Sequence, residues 1–276
     1  MMSRKLLLLT VLLVCVCSCA QAKPERVGVL APIGQDEHDV IRWSENIAQV
    51  EGKTRMFRNT NTLVIYEDLN SMIMALKAGQ IDRFAIGIYS AKYIAARDKD
   101  FEAVNNPNNA VLGFALGVRK DDRVKLIAIT RAINDMRKDG TLERLIREQI
   151  LELGTDDPKA AELPKFDDAE TMKVAITGDL PPMDCILADG TPAGFNTAFL
   201  AELGRRTHTN IELVSVHAGA RQTAITSGRV DAVFWTRNAY SLKRELLPYP
   251  LDKIAGVALS EPYLLEARAA VSMKKD

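Results

Sequence analysis

Leu69, Met72, Ile73 and Leu76 recur at the i, i+3, i+4, i+7 spacing of one apolar helical face and predict a helix there. The stretch Ala75-Leu76-Lys77-Ala78-Gly79-Gln80-Ile81-Asp82 follows, and then an apolar run over 84–88. The same grammar returns as Ala224-Ile225-Thr226-Ser227-Gly228-Arg229-Val230-Asp231, followed by an apolar run over 232–235. Each copy reads as a helix closed by a glycine, one or two turn residues and a buried strand. A β-rich stretch precedes each helix, at 62–66 in the first copy and 211–216 in the second. Two strand-helix-strand units with parallel sheets are therefore expected, and such sheets bind ligands beyond the carboxyl ends of their strands.

Other segments fit around these units. Residues 26–30 and 172–177 are short β-rich stretches, each able to start a sheet. Asp189-Gly190 is a turn signal between 185–187 and 193–195, and 196–206 reads as a helix with Phe199, Leu200 and Leu203 inward. Leu126, Ile129, Ile133 and Met136 predict a helix; Leu142, Leu145, Ile146 and Ile150 predict a second, with Thr141 as its N-cap. Residues 154–170 are acidic, carry two prolines and show no period, which reads as a connecting segment, partly ordered at best.

The amino terminus stands apart. Arg4 and Lys5, the apolar run 6–16 and the small residues up to Cys19-Ala20 read as a secretory signal, too short for a spanning helix. Removing Arg4 and Lys5 from 36 basic and 36 acidic groups leaves a net charge of about −2, with no basic excess for nucleic acid. Three of the four cysteines (Cys15, Cys17, Cys19) belong to the leader, so beyond it only Cys185 remains; a disulfide scaffold and a cysteine-based metal site are excluded. His38, His208 and His217 lack the short spacings of a zinc site, and no phosphate-cradling glycine loop or nucleophile elbow occurs, so no cofactor is expected. Val16-Cys17-Ser18-Cys19 resembles a bacterial lipoprotein signal, which implies a lipid on Cys19 and an exported, membrane-anchored protein of the cell envelope.

Residues 172–276 carry a further resemblance. Gly178 to Pro182, the Asp189-Gly190 turn, the Gly194-Phe195 pair, the string 227–232 (SGRVDA) and Ser260-Glu261-Pro262-Tyr263 stand in the order found in bacterial extracellular solute-binding proteins of family 3, the polar amino-acid binders of ABC transporters. Residues 114–122 and 139–146 resemble that family's closing segment, yet here they precede the opening one. The chain thus looks circularly permuted: 25–112 resembles the family's second lobe and 113–276 its first, with a linker at 154–170. Two tandem copies, the second cut short, are the alternative. The resemblance implies a two-lobed α/β fold of the periplasmic-binding-protein-like type II class, each lobe a mostly parallel sheet with flanking helices. It also implies a monomer whose interlobe cleft closes on a small solute for a membrane permease.

The resemblance further implies site residues. The family's carboxylate-binding arginine falls at Lys243, with Arg244 beside it and Arg237 nearer the strand end; a lysine lacks the two-pronged donor set of arginine. The family's ammonium-binding carboxylate falls at Gly87, which has no side chain, so either another acid, such as Asp184, substitutes or the ligand has no such group. Met183 stands where an aromatic wall is common, Trp235 next to Thr236 offers another wall, and Tyr89, Ser90 and Tyr263 lie at the expected strand end and lobe crossing. An orphan or sensory binding module, and a dehydratase using Asp184 or Glu261 as acid, remain the other function classes.

Replacing Cys19 by Ser is expected to release the protein from the membrane fraction or leave its leader uncleaved. Unchanged mobility and membrane association after fractionation would remove the lipoprotein reading.

Overall fold

The computed structural model describes residues 24–30, 62–105, 111–240 and 255–275. In chain order the strands are β1 Arg26–Leu30, β2 Thr62–Tyr66, β3 Arg83–Gly87, β4 Phe101–Asn105, β5 Val111–Arg119, β6 Thr171–Ile176, β7 Asp179–Leu180, β8 Asp184–Ile186, β9 Pro192–Ala193, β10 Asn210–Ser215, β11 Ala232–Tyr240, β12 Val257–Leu259 and β13 Leu264–Met273. The helices are α1 Leu69–Lys77, α2 Ile88–Arg97, α3 Arg123–Lys138, α4 Thr141–Ile146, α5 Phe195–Thr207 and α6 Arg221–Thr226. A π-helical turn over Arg147–Leu151 prolongs α4, and a 3₁₀ turn over Ala218–Ala220 precedes α6.

Two α/β lobes share a sheet. Its order is β10-β6-β11-β5-β13-β3-β1-β2, with β12 also on β5 and β4 also on β13. At one end β2, β1 and β3 are parallel, and at the other β10, β6 and β11 are parallel. The single strand β13 joins them, pairing antiparallel with β5 through 264–267 and with β3 and β4 through 268–273.

The repeat aspartates have matching structural jobs. Asp82 donates its N–H to the Arg26 carbonyl at 2.8 Å and accepts the Arg26 N–H at 2.7 Å. Asp231 does the same to Lys173 at 2.7 and 2.9 Å. Each carboxylate thereby staples the turn before β3 or β11 to the start of the neighbouring parallel strand. Gly79 (φ +66°) and Gly228 (φ +76°) supply the left-handed turn after each helix, where a side chain is strained.

Three clusters make the core. In the first lobe Leu69, Met72 and Leu76 of α1 pack with Ile81, Phe84, Phe101 and Val271. In the second lobe neighbouring strand residues alternate: Val174, Ala232 and Phe234 face a large cluster with α3, α4 and α5, while Ala175 and Val233 face a smaller one with Ile225 of α6. The sheet is mixed and not mostly parallel as expected, because β5 and β13 pair antiparallel with all their neighbours; helices cover both of its faces in the second lobe. Ile129, Ile133 and Leu145 share the large cluster with Met172, Phe195 and Phe199, and none joins the cluster built on 69–101.

Four sequence expectations change. Gly140 (φ +81°), and not Thr141, is the N-cap residue of α4; Thr141 opens the helix, its N–H held by the Asp139 carboxylate at 3.1 Å. Strand β11 continues past Trp235 to Tyr240, because β5 offers it a nine-residue antiparallel partner. The second predicted helix switches to π-helical turns after Ile146. Segment 154–170 holds no helix or strand yet is pinned: Ala160 bridges Ala193, and the Phe166 backbone exchanges hydrogen bonds with the Asn210 side chain at 2.7 and 2.9 Å.

Ile133 is fully buried between α3 and the sheet. Ile133→Ala is expected to cost about 2–5 kcal/mol in urea unfolding; a loss within experimental error would contradict this packing.

Candidate functional site

In parallel sheets the strand carboxyl ends open onto the ligand side, and here the two sets of ends meet. Glu67, just after β2, accepts the Gly219 N–H of the second lobe at 3.2 Å. Asp179, just after β6, accepts the Leu69 N–H at the start of α1 at 2.9 Å, where a carboxylate suits the helix N-terminus. Each lobe thus presents a carboxylate to a backbone donor of the other. Leu180 packs against both cores, and the Tyr93 hydroxyl donates to the Asp156 carbonyl at 3.0 Å. These contacts join the two lobes where the fold class expects a cleft.

On the first-lobe side the cleft is built around Gly87. Gly87 is the N-cap residue of α2 and offers no side chain to the helix. Glu266 fills the space: a Cβ placed on Gly87 would overlap its carboxylate, and its Oε2 accepts the Tyr89 N–H at 2.9 Å. An acid therefore does stand at the Gly87 position, delivered by β13. Glu266 is 4% exposed, and among the described residues no cation pairs with it. Burial pushes its carboxyl up to about 7, against the lowering effect of the Tyr89 N–H. Ser90 beside it is buried, and Tyr89 is half-buried with its phenol pushed up by burial.

On the second-lobe side Asp184 and Arg221 are both buried. Asp184 accepts the Thr177 N–H at 3.2 Å, and burial raises its carboxyl. Arg221 donates from Nη1 to the Phe234 carbonyl at 3.3 Å, while its Nε is buried without a partner. Burial lowers its guanidinium against the fields of Asp184, Asp179 and Tyr263, which lie near it.

Several expected site residues sit elsewhere. Met183, next to Asp184 in the chain, is fully buried and packs in the large core cluster. Tyr263 lies in the same core, stacked on Phe199 at 4.1 Å with its hydroxyl donating to Asn196 at 2.9 Å. The backbone of Trp235, Thr236 and Arg237 runs within β11, opposite Ala115, Phe114 and Gly113, and not at a strand end. Lys243, Arg244 and Cys19 lie outside the described residues. Sequence reading missed Glu266 and Arg221. Glu266 carries one local signal, an acid in the otherwise apolar β-rich segment 264–273 that it shares with Arg268; Arg221 carries none. Among the described residues no group of three or more potential ligands for a metal ion occurs, and Cys185 is a buried thiol pushed up to about 12.

A family model for bacterial extracellular solute-binding proteins, family 3, matches residues 172–276. No curated protein matches the sequence. Among solved structures, the ligand-binding component of an ABC-type import system from Staphylococcus aureus with zinc bound is similar at 10% identity and a TM-score of 0.47. That match covers 91% of this chain, which spans 66% of the other. The GluR0 ligand-binding core from Nostoc punctiforme in complex with L-glutamate is similar at 15% identity and a TM-score of 0.39, covering 91% of this chain and 86% of that one. The periplasmic aliphatic sulphonate binding protein from Escherichia coli is similar at 14% identity and a TM-score of 0.40, covering 91% and 66%.

A carboxyl raised from its ordinary 4.5 to about 7 penalises the charged form by on the order of 3 kcal/mol. The folded protein keeps this proton over a range where the unfolded chain has lost it. Stability is therefore expected to fall as pH rises from about 4.5 through 7 and then to level off with respect to this group. Glu266→Gln keeps an acceptor for the Tyr89 N–H and removes the charge. In urea unfolding the variant should gain on wild type between pH 5 and 8; parallel pH profiles would show that the Glu266 carboxyl is not raised.

Proposed function

We propose that this chain is a solute-binding protein that captures a small polar solute carrying an amine, an amino acid or a related carboxylate, and passes it to an ABC-type membrane permease. The observation that carries this reading is Glu266: a carboxylate buried between the lobes with one N–H partner and, among the described residues, no salt bridge to a cation. Such a group needs a proton or a cation, because an unpaired buried charge costs several kcal/mol. Glu67, Asp179 and Asp184 add acids to the same region, which also holds the cations Arg221 and, opposite Gly87 on β13, Arg268. An amine entering the cleft supplies the missing positive charge.

The family match over 172–276 supports a binding role, and the cleft supports a ligand held between lobes. The ligand's acid end is assigned to the cations of 237–244, namely Arg237, Lys243 and Arg244, on the second-lobe side. The lobes are assigned to 25–112 and 113–276 in permuted order; the packing of α3 and α4 on α5 supports this order over tandem copies. Export and a lipid on Cys19 complete the proposal.

Calorimetry with the twenty L-amino acids and their α-keto acid counterparts tests it. At least one amino acid is expected to bind, and at least tenfold more tightly than the keto acid that lacks its amine. Equal affinity for the two would remove the amine requirement, and no binding by any amino acid would remove the amino-acid reading.

A further inference from the structure

Arg221 and Asp184 are the two buried charged groups of the second-lobe side whose placement no task described so far explains. Arg221 is 9% exposed and Asp184 4%. They lie close enough for each to be the other's strongest charged neighbour, yet among the described residues no salt bridge joins them. The guanidinium spends Nη1 on a long bond to the Phe234 carbonyl and leaves Nε buried without an acceptor. Asp184 is held by the Thr177 N–H and, at 3.5 Å, by the Thr177 hydroxyl, so its partners are neutral. A buried arginine normally fills its donors and pairs its charge, because an unmade bond there costs more than a made one returns.

Their position is at the cleft. Arg221 follows the 3₁₀ turn whose Gly219 N–H is held by Glu67 of the other lobe. Asp184 pairs through β8 with β7, whose Asp179 holds the Leu69 N–H of the other lobe. Both residues thus sit on the elements that make the two interlobe contacts, and the field of each is felt most strongly by the other.

We infer that Arg221 and Asp184 form a subsite that reads an uncharged group of the ligand carrying both an acceptor and a donor, a carboxamide or a hydroxyl, with the acceptor on Arg221 Nε and the donor hydrogen on Asp184. The inference rests on the solute-binding reading and adds the class of ligand side chain. Charge selects the class. A carboxylate placed there meets Asp184 and Asp179, and an ammonium meets Arg221. An alkyl group leaves Nε without an acceptor. A neutral donor-acceptor group satisfies both residues and adds no charge to a region that already holds both signs.

Calorimetry on the wild-type full-length protein provides the first test. L-Glutamine, L-asparagine, L-serine and L-threonine are the neutral polar probes; L-glutamate, L-lysine, L-leucine and L-valine are the charged and alkyl ones. The best neutral polar probe should bind at least tenfold more tightly than its charged or alkyl counterpart of similar size. Arg221→Gln and, separately, Asp184→Asn should erase that preference by tenfold or more while leaving alkyl probes within about twofold. Thermal melts identify any variant that fails to fold, and in that case the wild-type ranking decides. Binding led by glutamate, lysine or leucine in the wild type would overturn the subsite and leave the solute-binding reading standing. Lowered melting temperature with unchanged selectivity in both variants would overturn it too, making the pair a packing feature. If no amino acid binds the wild type, the amino-acid reading falls and this inference falls with it.

Discussion

Strand β13 is the constraint on which the molecule depends. Residues 264–267 complete the second lobe's sheet beside β5, and 268–273 complete the first lobe's sheet beside β3 and β4. One extended segment therefore fixes both registers at once. A slip of one residue would turn the buried Ala269 and Val271 outward and take Glu266 off Gly87. The cleft geometry is a by-product of this shared strand: its acid on the first-lobe side is delivered from the crossing itself.

Local rules hold through most of the molecule and fail at the cleft. The repeat aspartates are paired with backbone donors, and Lys125 bridges Asp231 and Asp122 at 3.0 and 2.9 Å. Glu266 and Arg221, by contrast, are buried with donors or charge unmatched. Proteins tolerate such conflicts where a ligand resolves them, which is why the proposed binding region is centred on these two residues.

The fold was largely legible because its signals are local. Apolar spacing located α1, α3 and α5, and the Gly-x-hydrophobic-Asp strings located the turns into β3 and β11. Strand length was not legible: β11 reads as four apolar residues, and only pairing with β5 carries it to Tyr240. The Gly140 cap was missed in favour of Thr141 because Gly140 reaches a left-handed conformation that the sequence shows only as a turn. The site was legible at one remove. Gly87 stands out as the place where an acid is missing, but finding Glu266 required the register of a strand nearly 180 positions away. Met183 and Tyr263 are packed in the large core cluster, and burial alone is something an apolar pattern in a sequence shows without saying what lies beside it.

The shared strand also sets the order of events during synthesis. Strands β3 and β4 end at Gly87 and Asn105, while their partner β13 starts at Leu264. At roughly 5–20 residues per second, their edges wait on the order of 10–30 s on the ribosome for that partner. Over this interval the amino-terminal strands expose unpaired backbone, a template for pairing with other nascent chains. Long-range closure of this kind also folds slowly, since loop entropy is lost before contacts repay it. A chain built this way gains from being kept unfolded until complete, so a holding chaperone has most to do before β13 emerges.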